Sequence, residues 1–189
     1  MTNPSIWTLA DAKTQHQYSP KLAYALSRII PTKVPVYDFG CGKGDYISYL
    51  SSKGFKTVGY EGTEGIQELS NHKVPIHRQD LTIPFTVQEK GTVICLEVAE
   101  HIPAHLEGQL INNIVNACSN VLILSWAVKG QGGHGHVNEQ NSDYVIPRIE
   151  SEGFIYSGSK SLSLRSYGGK DLWWFDKSIY YFTKKQPII

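Results

Sequence analysis

Apolar residues recur along this chain with two different periods, and the switches between them mark its elements. From Ser19 to Ile30 the positions Leu22, Ala25, Leu26, Ile29 and Ile30 lie at helical spacing, which predicts a helix capped by Ser19 and opened by Pro20. Pro31 and Pro35 end it. Val34–Phe39 is a short apolar run that predicts a strand, Gly40-Cys41-Gly42-Lys43-Gly44 a tight turn, and Asp45 to about Lys53 a helix. The alternation repeats, with a strand at Thr57–Tyr60, a helix at Gly62–Ser70, and strands at Pro75–Arg78 and Thr92–Leu96. Ala104–Cys118 carries Leu106, Leu110, Ile114 and Val115 on one helical face, and Val121–Trp126 is the most hydrophobic strand. Ser142–Glu150 reads as helical, and Phe154–Ser157 and Ser178–Lys184 as two strands around a longer connection without a clear helix.

Strands alternating with helices of this length predict an α/β class: one Rossmann-like, doubly wound, mostly parallel sheet with an antiparallel C-terminal strand. The 189 residues suit one domain. Its expected parts are a helical N-terminal cover over 1–31, a ligand-binding core over 34–157, and an aromatic loop with the last strand over 158–189. In open α/β sheets ligands gather beyond the carboxyl ends of the strands. The glycine turn after the first strand and the glycine-rich Lys129–Gly135 both fall there.

Composition narrows the partners. With a formal net charge of +1 the chain has no global field to draw it to nucleic acid. Met1–Ala10 lacks a basic-then-apolar leader pattern and no apolar run spans a bilayer, so a cytoplasmic, reducing setting without a membrane is expected. Cys41, Cys95 and Cys118 form no CxxC pair and are expected to be reduced thiols used as small apolar residues.

The strongest local signal is Asp38-Phe39-Gly40-Cys41-Gly42-Lys43-Gly44, where the glycines permit a tight turn and close approach of a ligand. The spacing is neither GxGxxG nor GxxxxGK[ST], and Asp38 would repel a phosphate but attract an ammonium or sulfonium group. A cationic amino-acid nucleoside fits that sign. Glu61, at the end of the next strand, is either the acceptor for a ribose diol or a solvated loop carboxylate. Asp80 is either a base-contacting acid or a turn and capping residue.

Val36–Gly44 resembles motif I of the class I S-adenosylmethionine-dependent methyltransferases, and Gly59–Gly62 their acidic strand end. Arg78-Gln79-Asp80-Leu81 is similar to their adenine-contacting pair, and Ile94–Val98 to their fourth motif, in the family's order across about residues 34–157. The resemblance implies a methyltransferase using S-adenosylmethionine. Gly40, Cys41 and Gly42 would lie along the methionine moiety beside Asp38 and Leu96, Glu61 would hold the ribose, and Asp80 and Leu81 would meet the adenine.

Glu97-Val98-Ala99-Glu100-His101 follows the fourth strand; if it turns helically after Leu96, Glu97 and Glu100 share a face with His101 adjacent. Two oxygen donors and an imidazole suit Mg2+ or Mn2+. The segment resembles the EVxEH of two metal-dependent groups, the ubiquinone-biosynthesis O-methyltransferases and the small-RNA 3′-terminal 2′-O-methyltransferases. That likeness implies Glu97, Glu100, His101 and His136 as ligands and catalytic groups, with His134 competing for the fourth place. The pattern of the RNA enzymes around the later histidine is absent here. His101 as a metal-free base, or as a structural residue, stays open beside the metal.

Trp173 and Trp174 either bind a flat acceptor or pack the sheet edge, Trp126 is placed at the pocket floor, and Trp7, Gln15 and His16 are expected to cover the cofactor. The stretch Ser125–Val128 to His136–Asn138 resembles sugar- and glycan-associated sequences, so the expected acceptor is a hydroxyl of a small molecule or glycan. Two alternatives remain. RNA 2′-O-methylation would draw on Lys129, Arg148, Arg165 and Lys170, which are scattered; an inactive nucleoside-binding partner subunit would have no need of Glu97, Glu100 and His101.

Overall fold

The computed structural model describes residues 7–70 and 73–186. The first six residues of the expected N-terminal cover and leader reading, and the last three of the expected tail, lie outside the described residues. The strands are β1 (Val36–Phe39), β2 (Thr57–Glu61), β3 (Ile76–Arg78), β4 (Gly91–Cys95), β5 (Cys118–Ser125), β6 (Phe154–Tyr156) and β7 (Ile179–Lys184). The helices are α1 (Leu9–Gln15), α2 (Pro20–Ile29), α3 (Asp45–Ser52), α4 (Ile66–Leu69), α5 (Ala104–Ala117), α6 (Ser142–Glu150), α7 (Gly158–Gly168) and α8 (Phe175–Ser178).

One sheet runs in the order β3-β2-β1-β4-β5-β7-β6. β1 to β5 pair in parallel, and β7 runs antiparallel to both β5 and β6. This is the Rossmann-like, mostly parallel α/β class with an antiparallel C-terminal strand. Both faces of the central strands are buried, so period two sorts their side chains into two cores. Val93, Cys95, Leu122 and Leu124 join α5 and α6, while Ile94, Val121 and Ile123 join α2 and α7. Truncating a side chain such as Leu122, which is fully buried, to alanine costs about 2–5 kcal/mol.

The capping expectation at Ser19 holds: its Oγ accepts from Leu22 N at 3.0 Å, with Pro20 in the first turn. Three expectations are corrected. The helix over 62–70 is a single turn, Ile66–Leu69, because its only fully buried apolar anchor is Ile66. A further helix, α1, stands before the expected first one, opened by a reciprocal Thr8–Asp11 capping box. The tail is not an aromatic loop, for α7 and α8 occupy it. The sequence of α7 is rich in glycine and serine and weakly amphipathic. It is held by tertiary contacts, with Leu164 fully buried and Arg165 Nε donating to the Ile179 carbonyl at 2.8 Å.

Candidate functional site

The strand order reverses between β1 and β4, since β1 is followed by β2 on one side and β4 by β5 on the other. That switch point opens a crevice at the carboxyl ends of the strands. A cavity of about 380 Å³ occupies it, reaching from Glu61 and Asp80 past the glycine turn to Glu97, His101 and His136.

At one end the turn after β1 has Gly40 at φ +77 and Gly42 at φ +53. A side chain at Gly40 would overlap Val98, and one at Gly42 the His16 imidazole, so the backbone is bare by necessity. Glu61 ends β2 and accepts from Gly42 N and Thr63 N, each at 2.9 Å. It is a buried strut of the turn, not a solvated loop carboxylate. Asp38 is buried near the end of β1 with Oδ2 unpartnered among the described residues; burial, reinforced by Glu61, pushes its carboxyl up to about 8. Asp80 does cap a turn, its Oδ1 accepting from Thr82 N at 2.8 Å and Thr82 Oγ at 2.7 Å, and it lines the cavity as well. Cys41, Leu81 and Leu96 also line it.

At the other end the chain does not continue helically from Leu96. Glu97 takes a left-handed φ of +56, a strain of about 1–3 kcal/mol, before a 3-10 turn over Ala99–His101. Ser125 holds it there: its Oγ accepts from Glu97 N at 2.6 Å and donates to Glu97 Oε1 at 2.7 Å. Burial raises the Glu97 carboxyl to about 7, with Ser125 pulling against it. Glu100 is fully buried behind the cavity wall, near its own and the Ala127 backbone N–H and the Glu97 side chain, and neither carboxylate oxygen has a well-formed hydrogen bond among the described residues. Burial and the nearby Glu97 charge hold its carboxyl well above the usual range. Its carbonyl accepts from Val137 N at 2.8 Å and Asn138 N at 3.0 Å, pinning the loop after β5.

That loop brings His136 to the cluster. Ligand atoms of Glu100, His101 and His136 all lie within 4.8 Å of one another. Of the four expected ligands this group holds three; Glu97, whose Oε1 accepts from Ser125 Oγ, lies beside the Glu100 carboxyl. His134, the alternative fourth ligand, lies outside this group and has its Nε2 3.1 Å from Asp11 Oδ1. His101 Nδ1 donates to the Gly135 carbonyl at 3.2 Å. Burial, with His136 adding to it, lowers the His101 imidazole to about 4, so it stands neutral.

Trp7 covers the site, its ring 5.0 Å from His101 and 5.3 Å from His16. Gln15 and His16 join it in lining the cavity. Trp173, 65% exposed, and Trp174 line the cavity wall. Trp126 is not at the pocket floor. It is fully buried, with Nε1 donating to the Asn138 carbonyl at 2.6 Å, and lies outside the lining.

Solved structures share this architecture. The magnesium protoporphyrin IX methyltransferase of Synechocystis PCC 6803, with bound SAM, superposes with a TM-score of 0.62 at 22% identity, over 87% of this chain and 76% of that one. The sugar N-methyltransferase KedS8 of Streptoalloteichus sp. ATCC 53650 does so with 0.68 at 12% identity, over 88% of each chain. The chain has the Rossmann-like methyltransferase fold. The cyclase SpnF matches as well, with a TM-score of 0.61 at 12% identity over 87% of this chain and 79% of that one, so the fold alone does not fix a chemistry. No protein-family model matches the sequence, and no curated protein matches it.

Sequence reasoning missed Val98 as the side chain that requires Gly40. It also missed Glu139, whose Oε1 lies 2.9 Å from His136 Nδ1. The i,i+3 spacing of His136 and Glu139 was the available signal.

Proposed function

We propose that this chain is an S-adenosylmethionine-dependent methyltransferase acting on a hydroxyl, with a small molecule or glycan as acceptor. The carrying observation is the single cavity that joins the glycine turn, Asp38 and Glu61 to Glu97, His101 and His136. A cationic amino-acid nucleoside fits the first end, where the unpartnered Asp38 oxygen and the bare turn face the same space. Asp38 would hold the positive methionine portion, Glu61 the ribose and Asp80 the adenine amino group. When bound, the cofactor supplies an electrophilic methyl group on a sulfonium.

The chain's own residues then align and deprotonate. The cavity walls exclude water and hold the acceptor oxygen behind the methyl group, which is worth several kcal/mol as effective concentration. Transfer of that methyl group to the acceptor oxygen would leave a neutral thioether and release the hydroxyl proton, which Glu97 would take, or His101 Nε2 where no cation occupies it. The donor set of Glu100, His101 and His136 fits a divalent cation, because a buried carboxylate without a well-formed hydrogen bond among the described residues sits beside two imidazoles. Mn2+ or Mg2+ held there would acidify a chelated hydroxyl.

RNA as acceptor is disfavoured by what the candidate cations do. Arg148 pairs with Glu152 at 2.6 Å, and Arg165 Nε is spent on the Ile179 carbonyl. Calorimetric titration with S-adenosylmethionine, with and without Mn2+, tests cofactor and metal. Transfer of a labelled methyl group to glycans, catechols and short RNAs tests the acceptor. No binding at millimolar cofactor sinks the reading.

A further inference from the structure

The loop that delivers His136 is organised by one carboxylate. Glu139 Oε2 accepts from Gly130 N at 2.8 Å, and Oε1 accepts from Gly132 N at 2.7 Å. The same Oε1 lies 2.9 Å from His136 Nδ1. A carboxylate only accepts, so Nδ1 carries a proton, and in the neutral ring the lone pair is then on Nε2. The far edge of the ring, Nε2 foremost, lies against Gly133, where any side chain would overlap it. The Gly135 carbonyl imposes the same tautomer on His101 from the other side. In the neutral form each ring therefore keeps its lone pair on Nε2, and a ligand atom of each lies within 4.8 Å of a Glu100 carboxylate oxygen.

We propose that Glu139 is a positioning residue that sets the His136 tautomer and so makes its Nε2 a ligand for a divalent cation; this rests on the reading of Glu100, His101 and His136 as a cation site. Carboxylates behind ligating histidines act in this way, and losing one weakens metal affinity by about 10–100-fold. In Glu139→Gln the amide oxygen turns to the two glycine N–H groups. The amide NH2 then faces Nδ1, which must accept, and the imidazole proton moves to Nε2 and blocks it.

Two measurements on the full chain without cofactor decide it. Long-range 15N–1H spectra of metal-free protein, with His136 assigned by His136→Ala, report the tautomer. Titration with Co2+, followed by its visible absorption, reports affinity. Expected are an Nδ1–H His136 in the wild type, an Nε2–H His136 in E139Q, and Co2+ binding at least about tenfold weaker in E139Q. Glu139→Gln should weaken binding no further in a His136→Ala background. An Nε2–H tautomer in the wild type overturns the proposal even where E139Q does not fold. Equal Co2+ affinity in wild type and E139Q, or additive losses in the double variant, also overturns it and leaves the cation site standing. Failure of the wild type to take Co2+ overturns the cation site itself and the ligand assignment with it.

Discussion

Glu61 fastens the glycine turn to the neighbouring strand, its Oε2 accepting the Gly42 N–H at 2.9 Å while Oε1 accepts that of Thr63. The one side chain thereby fixes the turn that would cradle the methionine moiety and, at the end of β2, would face the ribose of the proposed cofactor. Hydrogen bonds to a charged group contribute about 1.5–3 kcal/mol each. Glu61→Ala is expected to weaken S-adenosylmethionine binding by roughly one to two powers of ten, and Glu61→Gln by less, since an amide oxygen still accepts one of the N–H groups. Calorimetry on both variants checks this; unchanged affinity in Glu61→Ala would remove it from the cofactor site.

Asp38 gives a pH dependence with a definite sign. Burial, then Glu61, raises its carboxyl from the usual 3.8 to about 8 in the folded chain. The folded state thus binds that proton more tightly than the unfolded state, and stability from this group falls as pH rises from about 4 towards about 8. Asp38→Asn should flatten that part of the profile in cofactor-free protein while weakening cofactor binding about tenfold or more. Denaturant midpoints across this range, compared between wild type and variant, measure it. Parallel profiles would show that Asp38 does not titrate there.

The acid limb belongs to a different carboxylate. Asp171 accepts from Lys21 Nζ at 2.6 Å, Lys21 N at 3.0 Å and Ser19 Oγ at 2.8 Å, tying the start of α2 to the turn after α7. Lys21, helped by Ser19, holds it down at about 2. Its contribution is complete above the ordinary carboxylate range and is lost as pH falls through about 2. Asp171→Asn should therefore be less stable than wild type at neutral pH and converge with it in strong acid. Thermal midpoints at both ends of the range test this, and a constant offset would contradict it.

What the sequence disclosed and what it hid divide along physical lines. The central strands and α5 were legible because burial on both faces, or on one helical stripe, writes a period into the residues. The turn at Gly40–Gly44 was legible for a related reason, as only glycine tolerates those backbone angles beside Val98 and His16. α7 was not, because Ser161, Leu164 and Arg165 are held by β7 and not by their own pattern. Nor could spacing say that Glu97 departs from a helical path and turns left-handed. That departure depends on Ser125, which lies on the next strand. Trp126 reads as a pocket residue by position, yet its indole N–H needs a buried acceptor and finds one at Asn138.

The pair Glu100 and His101 separates binding from chemistry. Neither touches the glycine turn, so Glu100→Ala and His101→Ala should keep S-adenosylmethionine affinity within about threefold of wild type, a free-energy change under 1 kcal/mol. Turnover should fall by roughly a hundredfold or more, the range typical for losing a proton-handling group. Glu100→Gln sharpens the argument because it keeps the volume of a fully buried side chain and removes only its capacity to carry a charge. If the charge matters, as a cation site requires, Glu100→Gln behaves like Glu100→Ala in a labelled-methyl assay. If Glu100 merely fills space, the amide variant keeps full rate and the alanine variant fails by unfolding. Wild-type rates in both Glu100→Gln and His101→Ala would move the chemistry away from this end of the cavity altogether.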